Sequence, residues 1–177
     1  TPTSIGIDTW GVDFACIASD GSIIGLPHAY RDPQYTDSRA RFFNNVMPAS
    51  ELYRRTGIQH LDFNTVFQFN EWRGSFAMDN AAKIVFLPDV LSYLLTGNIV
   101  TEYTIASTGE ILDAGKRTFD EEILEKVGLD TTKFGPIVMP GTEIGTLSAD
   151  LAEWAGLPRI PVVAVGGHDT ASAVAAV

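Results

Sequence analysis

The sequence predicts an α/β domain with strands near both ends and helices between them. Apolar, β-branched runs at 12–18 and 161–165 are typical of buried strands, and the segments between them place apolar residues at helical spacing. The length of 177 residues fits one domain, and 45% hydrophobic with 19% charged residues is the composition of a globular protein. The composition therefore favours a folded chain over a disordered one, and the helical middle is expected to be an insertion or a cover over the strands.

The N-terminal part is predicted to form a strand and then a β-hairpin. The run 5–7 is the short first strand, and 12–18 is the first arm of the hairpin. Residues 19–22 contain an Asp-Gly turn signal, and 23–26 return from it until Pro27 ends the strand.

The middle of the chain is predicted to be mostly helical. Proline near a helix start and glycine just after its end mark several segments, such as Pro48 to Gly57 and Pro88 to Gly97. The predicted helices cover 38–46, 48–56, 64–72, 88–95, 121–127 and 148–154. One short strand, 84–87, interrupts them.

Charge and cysteine content exclude several classes of function. The 12 basic and 22 acidic residues give a net charge of −10, which repels a phosphate backbone and argues against nucleic-acid binding. The single cysteine, Cys16, lies in an apolar run and is expected to be a core residue in a reducing compartment. Neither a signal peptide nor a run of ~18 apolar residues is visible. We therefore expect a cytoplasmic protein that binds neither nucleic acid nor membrane.

The chain is expected to be a piece of a longer protein. It does not begin with Met, and its last residues, 171–177, stop within an apolar helical pattern.

The strongest local pattern for chemistry lies at 166–170. The strand 161–165 breaks at two glycines, and a helix is expected from about Asp169, which is the geometry that aims side chains into a cleft. A carboxylate at a helix N-terminus is held ionised and suits a base that accepts a proton from an attacking hydroxyl. On pattern alone, however, an ordinary N-cap is favoured over a catalytic base. His168 either orients a substrate hydroxyl or fills a turn.

A second polar cluster, 8–13, also follows a short strand. It places Asp8 and Asp13 beside Trp10, an arrangement that suits a sugar because a ring covers C–H faces while carboxylates accept from hydroxyls. Gly11 allows a ligand to approach the backbone closely. The alternative is a tight turn with Trp10 buried. Clusters such as Glu102–Thr104 are expected to be surface pairs or helix starts.

Several common motifs are absent from the sequence. There is no G-x-x-x-x-G-K-[ST] loop, no G-x-G-x-x-G fingerprint and no G-x-S-x-G elbow. The three histidines are too scattered for a zinc motif, and no metal ligand is predicted. Nucleotide binding by another fold is still possible.

Taken together, the segments resemble the FGGY-type sugar kinases, most closely their rhamnulokinase group. The Thr-Trp-Gly motif at 9–11 and the His-Asp-Thr motif at 168–170 are the most specific, whereas the Thr-Gly pair at 96–97 is shared more widely. The resembling segments are 4–14, 27–32, 56–59, 63–65, 88–89, 93–97, 102–108, 161–165 and 168–174.

The resemblance implies a fold and a domain organisation. Such enzymes have two ribonuclease-H-like domains of the actin, hexokinase and Hsp70 type, with a mixed sheet, a helical insertion, sugar in the cleft and ATP largely on the second domain. Residues 1–177 would be the N-terminal, sugar-binding domain, incomplete because the first strand and phosphate loop precede Thr1. The nucleotide domain would follow Val177.

The resemblance also implies roles for individual residues. Asp169 matches the family's catalytic base, which takes the proton from the 1-hydroxyl of the sugar as the γ-phosphoryl group of ATP arrives with Mg²⁺. The substrate-contacting positions match Gly11, His168 and Thr170. Tyr103 falls where related polyol kinases place a sugar-contacting tyrosine, and Asp13 is added because it adjoins the Thr-Trp-Gly motif.

The implied reaction is ATP-dependent phosphorylation of L-rhamnulose to L-rhamnulose 1-phosphate. Xylulose-, fuculose- or glycerol-like substrates are the near alternatives, and an inactive sugar-binding homologue or a structural actin-like module are the others. The chain by itself is expected to be inactive. It departs from the family pattern at Gly166-Gly167, where relatives often have Ala-Ser, and at Gly109-Glu110, where Thr-Gln is more usual.

Overall fold

The computed structural model describes residues 2–177. The strands in chain order are β1 (Phe14–Ile17), β2 (Lys83–Phe86), β3 (Thr101–Glu102), β4 (Leu112–Asp113), β5 (Thr118–Phe119), β6 (Ile137–Val138), β7 (Glu143–Thr146) and β8 (Pro161–Val163). The helices are α1 (Ser38–Asn45), α2 (Ala49–Thr56), α3 (Thr65–Trp72), α4 (Phe76–Asn80), α5 (Leu87–Thr96), α6 (Tyr103–Ser107), α7 (Glu121–Lys126), α8 (Ala149–Ala155) and α9 (Asp169–Ala175). The predicted α/β organisation, with a helical middle, is confirmed.

Within residues 2–177 the strands form four two-stranded pairs, three antiparallel and one parallel. β1 runs antiparallel to β2, and β7 runs antiparallel to β8. On the other side of β8, Ile5 pairs in parallel with Val162. The short strands β3 and β6 are parallel, and β4 and β5 are antiparallel. The parallel contact at Ile5 brings the start of the chain beside its last strand.

The main core lies between β1 and the helical middle. All four residues of β1 are buried, and the rings of Phe14 and Phe69 meet edge-to-face with centroids 4.8 Å apart. Phe42 on α1 packs edge-to-face against Phe67 on α3. Each such ring stabilises the fold by roughly 1.5–3 kcal/mol when fully buried. Cys16 is also buried, as predicted, and burial raises the pKa of its thiol to about 11.

The predicted helices are confirmed, with bounds shifted by one or two residues at most. The predicted helix ends at glycine are also confirmed. Gly57 and Gly97 take left-handed backbone conformations, with φ of 68° and 80°, just after α2 and α5. Of the two alternatives for Glu102–Thr104, the helix start is confirmed, because Glu102 is the buried N-cap of α6. Sequence periodicity did not predict α4 or the two-residue strands, because each is too short to show a period. Within residues 2–177, no helix is long and apolar enough to cross a membrane.

The strand and hairpin predictions near the N-terminus were partly wrong. The predicted strand 12–18 begins only at Phe14, because Val12 takes a left-handed φ of 71°. The Asp-Gly turn forms, but its returning arm makes only one bridge, from Ile23 to Ile17. The ladder partner of β1 is instead β2, about seventy residues away along the chain. The predicted strand 5–7 is reduced to the single bridge at Ile5.

Candidate active site

The two polar segments that stood out in the sequence lie side by side in the fold. Thr9 pairs in parallel with His168. The Thr9 amide donates to the carbonyl of Gly167 at 3.0 Å, and the Asp169 amide donates to the carbonyl of Thr9 at 2.8 Å. Because parallel segments end at the same edge of a sheet, residues 10–12 and 168–170 face one cleft.

This cleft has a volume of about 510 Å³. It is lined by Trp10, Gly11, Val12, Tyr30, Ile58, Gln59, Leu61, Phe63, Asn64, Ser107, Thr108, His168, Asp169 and Thr170. The wall therefore combines aromatic and aliphatic side chains with amides, hydroxyls, an imidazole and one carboxylate, which is the mixture that a small polar ligand requires.

Asp169 is the first residue of α9 and opens onto the cleft. The N-cap position belongs to His168, so the carboxylate does not serve as the cap. Asp169 Oδ1 accepts from the Thr170 amide at 2.7 Å and lies 3.4 Å from His168 Nε2. Its side chain is 56% exposed, so the carboxylate is accessible to a ligand in the cleft.

The backbone at Gly11 and Val12 forms another part of the wall. A side chain at Gly11 would place Cβ only 3.1 Å from Thr108 Oγ1, so the packing favours glycine there. Val12 holds its left-handed conformation although it is β-branched, which costs about 1–3 kcal/mol. Its carbonyl accepts from Thr65 Oγ1 at 2.8 Å and Gln68 Nε2 at 3.2 Å, and these buried bonds hold the strained turn in place.

Two of the predicted substrate contacts, Asp13 and Tyr103, do not line the cleft. Asp13 is only 3% exposed, and its Oδ2 accepts from the indole N–H of Trp10 at 2.7 Å. Burial raises the pKa of Asp13, while the Trp10 hydrogen bond lowers it. Tyr103 begins α6 and packs partly buried against the main core. Trp10 itself is 48% exposed, so the sequence alternative with a buried Trp10 is wrong.

Sequence reasoning assigned no role to much of the cleft wall. Tyr30, Ile58, Leu61 and Phe63 form an apolar side, and all belong to connecting segments or helix starts without a repeating pattern. Gln59, Asn64, Ser107 and Thr108 supply polar groups. Most of these positions lie in segments that carry the family resemblance, which was the available signal.

A buried polar cluster supports the loop that carries Gln59 and Asn64. Glu110 is completely buried and accepts from Asn64 Nδ2, while its Oε2 lies 2.6 Å from His60 Nδ1. The other ring nitrogen of His60 lies 3.1 Å from the carbonyl of Ala49. Burial raises the pKa of Glu110 to about 7, and His60 and Asn64 lower it. The cluster ties the rim of the cleft to α2.

Comparison with known families identifies this architecture. The model of the FGGY family of carbohydrate kinases, N-terminal domain, matches residues 1–176. The chain belongs to the FGGY family. The family resemblance seen in the sequence is therefore confirmed.

The curated FGGY relatives include several rhamnulokinases. The chain is 49% identical over 176 residues to the rhamnulokinase of Bacteroides thetaiotaomicron, covering 98% of this chain and 36% of that protein. It is 40% identical over 174 residues to the rhamnulokinase of Ligilactobacillus salivarius, with 98% and 36% covered. The chain thus spans about a third of the length of the curated relatives it matches.

Solved FGGY structures confirm the predicted ribonuclease-H-like fold. The xylulose kinase from Rhodospirillum rubrum has a TM-score of 0.88 at 20% identity, covering 99% of this chain and 37% of that one. The glycerol kinase from Plasmodium falciparum, solved with ADP, has a TM-score of 0.79 at 15% identity, with 93% and 34% covered. At these identities the likeness shows the fold alone.

The described residues do not by themselves fit the nucleotide and metal expected of an FGGY kinase. Neither lysine nor arginine lines the cleft within residues 2–177, so this wall offers no side-chain cation to a phosphate chain. The same residues contain no group of three or more His, Cys, Asp or Glu side chains placed to hold a metal ion. The donors that are present suit an uncharged hydroxyl-bearing ligand.

Proposed function

We propose that this chain is the sugar-binding domain of an ATP-dependent kinase that converts L-rhamnulose to L-rhamnulose 1-phosphate. The observation that carries the proposal is the meeting of the Thr-Trp-Gly and His-Asp-Thr segments in one cleft, with the Asp169 carboxylate exposed to it. The family and the rhamnulokinase relatives at 49% and 40% identity support the same reaction.

Asp169 is the general base of the proposed reaction. Its carboxylate accepts the proton of the sugar's 1-hydroxyl, which makes that oxygen a better nucleophile toward the phosphoryl group supplied by ATP. Asp169 is the first residue of α9, and its half-exposed carboxylate is open to a sugar hydroxyl in the cleft. His168 and Thr170, which flank the base and line the cleft, bind and orient the sugar hydroxyls.

The rest of the cleft wall matches a deoxy sugar. The half-exposed ring of Trp10 covers C–H faces, and the Gly11 backbone lets the ligand approach closely. L-Rhamnulose carries a methyl group at carbon 6, where L-fructose carries a hydroxymethyl group. Ile58, Leu61 and Phe63 provide an apolar surface for that methyl group. Asp13 supports the wall through its hydrogen bond with Trp10.

ATP and Mg²⁺ are assigned mainly to residues beyond this chain. The cleft wall described above lacks side-chain cations, and the relatives are almost three times as long as the part that matches. The isolated chain is accordingly expected to bind sugar without turnover. ADP release by the 177-residue chain alone that disappears in Asp169→Asn would overturn this part of the proposal.

The test of the proposed function is an ADP-release assay on the full-length protein with L-rhamnulose, L-xylulose, L-fuculose and glycerol. L-Rhamnulose is expected to give the highest kcat/KM. Asp169→Asn is expected to lower kcat by at least 10²-fold, because general-base catalysis contributes about 10²–10⁴-fold, while sugar binding is retained. A higher kcat/KM with another sugar would refute the assignment of L-rhamnulose as the substrate. Sugar binding without ADP release would favour an inactive sugar-binding homologue.

A further inference from the structure

Glu102 is a buried carboxylate that the proposed reaction does not use directly. Glu102 is 2% exposed and occupies the N-cap position of α6. Its Oε1 accepts from the Thr104 amide at 2.8 Å, and its Oε2 accepts from the Ile105 amide at 3.0 Å. These bonds satisfy two amides that the helix leaves unpaired, which is the ordinary work of an N-cap.

The same carboxylate also reaches a distant segment of the chain. Glu102 Oε2 accepts from the Gly167 amide at 3.0 Å, and it accepts the hydroxyl hydrogen of Thr104 at 2.6 Å. The Thr104 hydroxyl oxygen in turn lies 3.4 Å from the amide nitrogen of His168. Two successive amides of the turn that precedes Asp169 therefore point at the Glu102–Thr104 pair.

The close approach at Gly167 depends on the absence of a side chain. A Cβ at this position would lie 2.8 Å from Glu102 Oε2 and 3.4 Å from Pro88 Cγ. On the opposite side, the carbonyl of Gly167 accepts from Thr9, and the Thr9 carbonyl accepts from Asp169. The turn is thus held between the Thr9 backbone and the Glu102 carboxylate, and Asp169 lies two residues after Gly167.

We infer that Glu102 is a positioning residue, which fixes the 167–169 turn and so sets the place of the Asp169 carboxylate in the cleft. This inference rests on the proposed function, since it assigns Asp169 the role of base. The physical reason is that proton transfer requires a fixed geometry, and a displacement of about 1 Å costs up to roughly 10²-fold in rate. Helix capping alone would explain the bonds to Thr104 and Ile105, but not the bond to Gly167.

Two variants of the full-length protein separate capping from positioning. Glu102→Asp keeps a good capping residue and the negative charge, but the shorter side chain no longer reaches the Gly167 amide. Glu102→Gln keeps the reach to Gly167, but its amide group opposes a helix N–H and weakens the cap. Positioning therefore predicts opposite rankings, with Glu102→Asp the more stable variant and Glu102→Gln the more active one.

The readouts are kcat, sugar KM and melting temperature. Glu102→Asp is expected to lose at least 10-fold in kcat with KM within about twofold of the unaltered protein. Asp120→Asn is the matched control, because Asp120 is a buried N-cap carboxylate of α7 that lies outside the cleft. It is expected to lower the melting temperature and to leave kcat unchanged.

Two results would overturn the inference. If kcat follows stability, so that Glu102→Asp is at least as active as Glu102→Gln, Glu102 is only a helix cap. If Asp120→Asn lowers kcat as much as Glu102→Asp does, the loss is a general effect of destabilisation. Absence of ketose phosphorylation by the unaltered protein would instead reject the proposed function, and this inference with it. The two failures are therefore distinguishable.

Discussion

Replacing Glu110 by Gln should remove part of the pH dependence of folding. Glu110 has no exposed surface, and burial raises the pKa of its carboxyl group from 4.5 to about 7. Gln has the same size as Glu and can keep both hydrogen bonds, because its side-chain oxygen accepts from Asn64 and its NH₂ group donates to His60 Nδ1. The other ring nitrogen of His60 then donates to the Ala49 carbonyl, as before. The substitution therefore removes the ionisation and leaves the packing in place.

The magnitude follows from the difference between the folded and unfolded pKa values. Between pH 4.5 and about 7 the folded state retains a proton on Glu110 that the unfolded state has lost. The stabilisation is fully present below pH 4.5 and is lost as pH rises through 7, at about 1.4 kcal/mol per pH unit and roughly 3 kcal/mol in all. Asp89, with a pKa that burial raises to about 7, adds a contribution of the same sign.

Urea unfolding of the 177-residue chain at pH 5, 6, 7 and 8 measures the effect. The free energy of unfolding of Glu110→Gln is expected to fall less steeply with pH than that of the unaltered chain, because Asp89 still titrates whereas residue 110 no longer does. Glu153→Gln, at an exposed position on α8, is the control and should leave the slope unchanged. An unaltered slope in Glu110→Gln would refute the reasoning.

Three further substitutions test the cleft wall. Trp10→Phe removes the N–H that donates to buried Asp13 and should lower the free energy of unfolding by about 1–3 kcal/mol at pH 7, with a smaller loss in acid, where the carboxyl group is neutral. Equal losses in urea titrations at both pH values would contradict this. Gly11→Ala places Cβ 3.1 Å from Thr108 Oγ1 and 3.2 Å from its Cγ2, and should raise the sugar KM several-fold, with partial recovery when Thr108→Ser removes Cγ2. An unchanged sugar KM would show that Thr108 moves away from the added Cβ without disturbing the cleft. Leu61→Asn should reduce the preference for L-rhamnulose over L-fructose, as a ratio of kcat/KM, by about fourfold, since one buried methyl group contributes ~0.8 kcal/mol. A preference that stays the same would place the methyl group elsewhere.

Local features of the sequence predicted most of the helices. α2 and α5 begin and end as the proline and glycine positions indicate, because capping and chain reversal depend on a few neighbouring residues. The N-terminal hairpin was predicted less well. Its turn is local and forms, whereas the partner of β1 is chosen by packing against β2, which no local pattern contains.

The candidate site divides in the same way. The 8–13 and 168–170 clusters are visible in the sequence because polar residues follow apolar strands there. Their roles came from the family resemblance, since the local pattern at Asp169 by itself favoured a helix cap over a catalytic base. That Asp169 is not the cap, and that Asp13 lies behind Trp10, are facts of three-dimensional packing.

The sequence by itself determined the family, the α/β class and the segments that carry the chemistry, because these depend on residue types in a fixed order along the chain. Only the tertiary structure decided that Thr9 pairs with His168, that Glu102 bonds to Gly167 and that Glu110 is buried beside His60. Each of these contacts joins residues at least 50 positions apart. The chain brings these residues together only when the core forms, so the preferences of neighbouring residues cannot predict such contacts.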